Sequence, residues 1–378
     1  MTPTFLLSCG EASGDLYAGA LTRALKARLP GVRVRGLGGP QLAAAGGELV
    51  EEFSGLAVTG FTAIPAKIPR FRATLAKLVE DATTSRPAAL IVIDFFGFNA
   101  RLARRVKALG IPVIYYVSPQ IWAWRPGRIK TIRELADLVL VIFPFEEAIY
   151  RDAGVPVQFV GHPLIDLAAG AASKQDVRRR LGLAPNAPTV AILPGSRQGE
   201  VRRILPDLIE AARKIQSQVD DAQFVLARAQ NVPDALFEPA SAGGPPITIV
   251  TGDADAVLAA ADVVLTASGT ATVQAALHDV PMVVVYRMGS IEYTLGRRFV
   301  SVKHYAMVNL IAGDRLVPEL IQDAFTPEAV AAEAVSMLTD ADRRAKILAG
   351  LARVRRALGA PGASGRAADA ILNVAAVQ

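Results

Sequence analysis

Short runs of apolar, mostly β-branched residues alternate along the chain with stretches of helical periodicity. The runs Thr4 to Ser8, Arg33 to Gly36, Ala89 to Ile93, Val113 to Tyr116, Leu138 to Ile142 and Val157 to Val160 form a first series. Val190 to Leu193, Gln223 to Leu226, Thr248 to Val250, Val263 to Leu265 and Met282 to Val285 form a second. Strands that read as continuous apolar runs and alternate with helices predict parallel sheets covered on both faces. Gly161-His162-Pro163 and the polar stretch Gly170 to Asp176 interrupt the pattern between the two series and predict a linker near residue 165. The expected architecture is α/β: two Rossmann-like doubly wound domains facing a cleft. The first covers 1–165 and the second 166–345. Residues 346–378 are mostly helical patterns expected to cross back onto the first domain. A chain of 378 residues is long enough for each half to bury its own core.

Ligands of open α/β sheets sit beyond the carboxyl ends of the strands, so the residues leaving each strand are the ones that matter. Two such turns stand at matching places in the two halves. Phe5-Leu6-Leu7 passes through Ser8-Cys9-Gly10-Glu11-Ala12-Ser13-Gly14-Asp15 into a helix, and Val263-Val264-Leu265 passes through Ala267-Ser268-Gly269-Thr270 into the pattern Ala271 to Leu277. Small residues admit close backbone approach, and the helix start offers N–H groups and a positive dipole end, which suits a phosphate. Neither turn spells GxGxxG with a following acid or GxxxxGK[ST], so dinucleotide and P-loop readings lack support and a sugar nucleotide fits better. Asp94 ends the run Leu90 to Ile93 and precedes Phe95-Phe96-Gly97-Phe98-Asn99, placing a carboxylate among aromatics where its basicity would rise. An Asp there can equally cap the next helix. Leu193-Pro194-Gly195-Ser196-Arg197 leaves a strand of the second half in the same way and offers a guanidinium for a diphosphate, or for a surface ion pair.

Charge and composition narrow the options. A hydrophobic content of 52% with 20% charged residues describes a folded globular chain, and the +6 net charge is compatible with a phosphorylated substrate or an anionic surface. Nucleic acid is not expected, because no finger spacing or ribonucleoprotein-type aromatic motif is present. No window reaches about 18 uncharged apolar residues, so no membrane span is expected. The short N-terminal run leads straight into the glycine turn, which favours a mature cytoplasmic start. Cys9 is alone, so no intrachain disulfide can form. Asp253-Ala254-Asp255 spells the DxD of metal-dependent sugar transferases but opens a helical pattern, so capping is the expected role and no metal is expected. His162, at the interdomain turn, is a possible site residue or a structural turn histidine. From Ala63 to Thr83, Ile64, Ile68, Phe71 and Leu75 recur at helical spacing beside Lys67, Arg70, Arg72 and Lys77. Together with Val58 to Phe61 they form a candidate membrane patch, although a core-packed helix produces the same pattern.

Read together, Gly10 to Asp15, Tyr116-Val117-Ser118-Pro119-Gln120-Ile121-Trp122-Ala123-Trp124-Arg125, Phe143-Pro144-Phe145-Glu146, Gly161-His162-Pro163, Leu193 to Arg197, Ala267 to Thr272 and Asn309-Leu310-Ile311-Ala312-Gly313 resemble lipid-A-disaccharide synthases in family order. The resemblance implies a B-type, inverting glycosyltransferase that joins UDP-2,3-diacylglucosamine to the 6-hydroxyl of 2,3-diacylglucosamine 1-phosphate. It implies no cofactor, a homodimer as one option, and peripheral attachment to the anionic inner face of the bacterial inner membrane. The family's base falls on Asp94 and its essential arginine on Arg197. Its nucleotide-side turn falls on Ser268, Gly269 and Thr270, and Asn309 matches a further functional position. Gly195, Ser196, Ala271 and Gln274 are further candidates on the nucleotide side, and Gly10, Glu11, Ser13, Asn99, Gln120, Trp124 and His162 are candidates for the substrate side or cleft, with Asn309. Gln274 stands where the family commonly has a ribose-binding glutamate, and Phe96-Gly97 replaces a Pro-Asp pair. A UDP-sugar epimerase, with Glu11 and Asp94 as acid and base, or a silent nucleotide-sugar-binding protein would use the same turns.

Overall fold

The structure is a computed structural model, and its description covers residues 3–54, 64–122, 127–168, 173–240, 243–289 and 304–375. Trp124 and the Val58 to Phe61 part of the candidate patch lie outside it, as do the side chains of Ile64 and Lys67. Among the described residues, one compact unit gathers those up to Leu167 and from Leu358 onward, and a second gathers those from Ala168 to Ala357.

The first unit is built on seven parallel strands: β1 (Thr4–Cys9), β2 (Arg33–Gly38), β3 (Glu48–Glu52), β4 (Ala89–Ile93), β5 (Val113–Tyr116), β6 (Leu138–Val141) and β7 (Val157–Phe159). Their order is β3-β2-β1-β4-β5-β6-β7. β1, β4, β5 and β6 are almost wholly buried, as strands covered by helices on both faces must be. β3 has no counterpart in the sequence pattern. It is a half-exposed edge strand, and its acidic side chains pair outward, Glu48 with Arg33 and Glu51 with Lys77. The helix Ala363–Val374 packs on Ala12–Arg28, where Asp369 holds Arg28. Helix Ala341–Ala357 stays with the second unit, so the chain returns to the first unit from Leu358.

The second unit has six parallel strands: β8 (Thr189–Leu193), β9 (Gln223–Arg228), β10 (Ile247–Thr251), β11 (Val263–Ala267), β12 (Met282–Tyr286) and β13 (Glu319–Ile321), in the order β10-β9-β8-β11-β12-β13. β13 is too short, at three residues, to show in the hydrophobic pattern. Each sheet therefore reverses its winding direction once, between β1 and β4 in the first and between β8 and β11 in the second.

Helix Ile64–Ser85 departs from the membrane-patch expectation. Leu75, Leu78 and Ala82 belong to the first unit's core, and Phe71 sets its ring edge-on to Phe98 at 4.8 Å. Ile68 alone of the three described patch side chains points outward, 41% exposed, beside exposed Arg70 and Arg72. The stripe that helical spacing revealed is thus mostly the face that covers the sheet, because burying Leu75 and Phe71 there removes more apolar area from water than leaving them exposed. No helix of the described residues is long and apolar enough to cross a membrane.

Candidate active site

Register places the first turn. Cys9 pairs with Ile93 and Ile93 with Tyr116, so Gly10, Asp94 and Val117 leave three neighbouring strands side by side at the point where the winding reverses. Asp94 is exposed there and its N–H donates to the Val117 carbonyl at 3.2 Å. Asp94, Phe95 and Val117 all have left-handed backbones, with φ of 44°, 45° and 60°. Such conformations in non-glycine residues cost about 1–3 kcal/mol each and persist where surrounding structure over-determines them, commonly at active sites. Gly10 makes one of them possible, since a Cβ there would sit 2.3 Å from the Phe95 ring. The aromatic enclosure of Asp94 expected from the sequence does not form on this unit. Phe95 stacks on Phe98 at 5.6 Å and both rings turn toward Phe71, while Asp94 itself is exposed. Asn99 is completely buried behind the turn, its amide bonded to Ser8, Ile93 and Asp94. Glu11 is the extended residue before helix Ala12–Arg28, and Ser13 is half-buried in its first turn. Cys9 is buried, its thiol pushed up by burial, with Sγ 3.5 Å from the Leu37 carbonyl.

Two strands further, Gln120 is exposed after β5 and Trp122 is half-buried, its ring edge-on to Phe145 at 5.0 Å. The Trp122 Nε1–H and Ser118 Oγ–H both donate to Glu146 Oε1, at 3.1 and 3.0 Å, and the Phe143 N–H donates to Oε2 at 3.3 Å. Glu146 is 1% exposed, and burial pushes its carboxyl up to about 7 against the pull of those three donors. The sequence reading quoted Glu146 within its motif but gave it no role; the signal was an acid three residues after the residue that precedes a helix. His162 is buried against Tyr17 and Phe143, and its Nδ1 accepts the Leu164 N–H at 3.2 Å. Burial lowers its pKa to about 3, so the ring is neutral at physiological pH and acts as a turn brace.

In the second unit, Leu193 pairs with Thr266, so the two turns after β8 and β11 also emerge together at the reversal. Gly195 takes a φ of 120°, Ser196 is exposed, and Arg197 precedes helix Gln198–Gln216. The Arg197 side chain is 39% exposed and its guanidinium holds Glu200 at 3.0 Å. After β11, Gly269 takes a φ of 151° and starts helix Thr270–Leu277, whose first turn carries Thr270 and Ala271 with half-buried Gln274 one turn on. First-turn N–H groups have no carbonyl within their own helix, the arrangement a phosphate exploits. Ser268 is spoken for locally, its Oγ donating to the Tyr305 carbonyl at 2.9 Å. Tyr305 is held in turn by Glu319, which accepts from the N–H groups of Tyr305 and Ala306 and from Asn309 Nδ2, at 3.0, 2.9 and 2.8 Å. Asn309 is fully buried and also exchanges two 2.9 Å bonds with Val317. It therefore fixes, through its own amide, the segment that Ser268 is bonded to. Asp253 caps helix Ala254–Ala260 and Asp255 pairs with His278, so the DxD is occupied structurally. Among the described residues no cluster of three or more His, Cys, Asp or Glu is placed to hold a metal ion.

The family model for lipid-A-disaccharide synthetase matches residues 5–372. The chain belongs to the lipid-A-disaccharide synthase family. The chain is 43% identical to the Myxococcus xanthus lipid-A-disaccharide synthase over 98% of its own length and 97% of that protein's. It is 42% identical to that of Syntrophus aciditrophicus, over 96% and 95%. Among solved structures, the glycotransferase of kitacinnamycin superposes with a TM-score of 0.65 at 21% identity, covering 99% of each chain. A UDP-GlcNAc 2-epimerase from Neisseria meningitidis bound to UDP-GlcNAc superposes at 0.67 with 10% identity, over 99% and 100%. At those identities the likeness carries the two-sheet fold alone. Membership in the synthase family makes the chain a glycosyltransferase that takes a nucleotide sugar and an acceptor, and separates it from the epimerases that share its architecture.

Proposed function

We propose that this synthase transfers 2,3-diacylglucosamine from UDP-2,3-diacylglucosamine to the 6-hydroxyl of 2,3-diacylglucosamine 1-phosphate, with Asp94 as general base. The observation that supports this most is the placement of exposed Asp94 on a strained turn at the winding reversal of the first sheet. Asp94 takes the proton of the 6-hydroxyl as that oxygen bonds to the donor's anomeric carbon from the face opposite UDP. The anomeric carbon–oxygen bond to UDP breaks, its electron pair leaves with the diphosphate, and the anomeric configuration inverts. Arg197 and the first turn of Thr270–Leu277 stabilise the diphosphate's growing charge in place of a metal ion. The test is UDP release from the donor in detergent micelles with excess chelator, with and without the acceptor. Acceptor-dependent release with a disaccharide 1-phosphate product supports the reading; tight UDP binding without product, or an isomerised sugar nucleotide, overturns it.

Two further expectations attach to this reading. Arg197→Ala should weaken UDP binding by about tenfold or more, as loss of a charge-assisted hydrogen bond does, measured by calorimetric titration. Unchanged affinity would remove Arg197 from the diphosphate's contacts. Docking on an anionic membrane surface would use the outward Ile68 with Arg70 and Arg72. Ile68→Ser should lower sedimentation with anionic liposomes severalfold at unchanged thermal stability, since one exposed apolar side chain contributes about 1.5–3 kcal/mol when inserted. Equal liposome binding would remove this face from the docking surface.

A further inference from the structure

The turn that carries Asp94 is held by a side chain 91 residues from its own partner. Ser8, in the buried strand β1, donates its hydroxyl to Asn99 Oδ1 at 2.6 Å. That bond fixes which way the Asn99 amide faces, with Nδ2 toward the Asp94 carbonyl at 2.8 Å and the Ser8 and Ile93 carbonyls at 3.3 Å each. Helix Phe96–Lys107 begins after Phe95, whose carbonyl takes the Phe98 and Asn99 N–H groups at 3.1 Å. The Asp94 carbonyl thus lies outside the helical ladder, one residue before its first acceptor. The Asn99 amide gives that carbonyl its partner, while the Asp94 N–H is bonded to Val117 on the other side. An asparagine with no exposed surface, sitting among apolar neighbours, is an expensive way to fill space unless its hydrogen bonds are needed.

We propose that Asn99, oriented by Ser8, is a positioning residue that holds the Asp94–Phe95 turn in its left-handed form and so sets where the Asp94 carboxylate stands. The inference rests on the reading of Asp94 as the base and adds the device that aims it. Misplacing a reacting group by about 1 Å can lower a rate by about 10²-fold, so the brace has a kinetic consequence beyond folding.

The test is a double-variant cycle in the full chain, measuring kcat, KM and UDP affinity with the two diacyl substrates. Asn99→Ala should lower kcat by about 10- to 10²-fold with little change in UDP affinity, and the same change in an Asp94→Asn background should add no more than about a threefold loss. A normal kcat for Asn99→Ala, or a full multiplicative loss in the Asp94→Asn background, overturns the proposal. Should Asn99→Ala fail to unfold cooperatively on heating, Ser8→Ala removes only the 2.6 Å bond and should lower kcat about three- to tenfold in the same cycle. A normal kcat there overturns it equally. Retained turnover in Asp94→Asn alone would instead unseat the base itself, a separate outcome from failure of the brace.

Discussion

Asp94→Asn should lower turnover by about 10² to 10⁴, the range a general base supplies, while UDP affinity stays near wild type. The amide is the same size as the carboxylate and keeps the backbone's bonds to Val117 and Asn99, so the strained turn survives the change. What it loses is the capacity to accept a proton from the acceptor hydroxyl. Steady-state disaccharide formation beside calorimetric UDP binding separates the two effects. Turnover within about threefold of wild type would move the base elsewhere on this edge, and Glu11, the residue before helix Ala12–Arg28, would be next in line. Equal losses of turnover and UDP affinity would point to a disturbed fold.

The second large effect concerns Glu146 and stability. Burial raises its carboxyl from the ordinary 4.5 to about 7, so the folded chain holds a proton there that the unfolded chain releases. Its contribution to stability is fully present below about pH 4.5 and is lost as pH rises through about 7. The span corresponds to about 3 kcal/mol as an upper figure. Glu146→Gln resembles the protonated acid and cannot ionise. The difference in unfolding free energy between variant and wild type, taken from urea titrations, should therefore change by up to that amount in the variant's favour between pH 4.5 and 7.5. A difference that is flat across this range would mean that Glu146 titrates like an exposed carboxylate. Trp122 reports the same event by fluorescence, because its indole N–H is bonded to that carboxyl.

The buried strands were the most legible part of the chain. β4, β8 and β11 are covered on both faces and so read as unbroken apolar runs, and the residues that follow them were thereby marked as the candidate edge for ligands. β3 escaped notice because a sheet's outermost strand needs no continuous apolar run, and its glutamates find partners in solvent-facing arginine and lysine. Glycine turns at Gly10, Gly195 and Gly269 were visible because so little else tolerates those backbones or that proximity. The brace at Ser8 and Asn99 could not be seen in the same way. Two polar residues 91 positions apart carry no local pattern, and only the pairing of β1 with β4 brings them together. Helical spacing grouped Ile68, Phe71 and Leu75, yet Ile68 is exposed while Phe71 and Leu75 face the sheet, and periodicity says nothing about whether a side chain meets water, lipid or a sheet. The neighbours of Leu75 decide that.

Cys9 has a practical consequence. It is the chain's single cysteine, and it ends β1 yet is sealed from solvent with its thiol held protonated. Maleimides and spin labels therefore meet no native competitor in the folded protein. A cysteine introduced on any exposed surface can carry a reporter without first rebuilding β1, which makes the wild-type chain its own background for distance measurements during turnover.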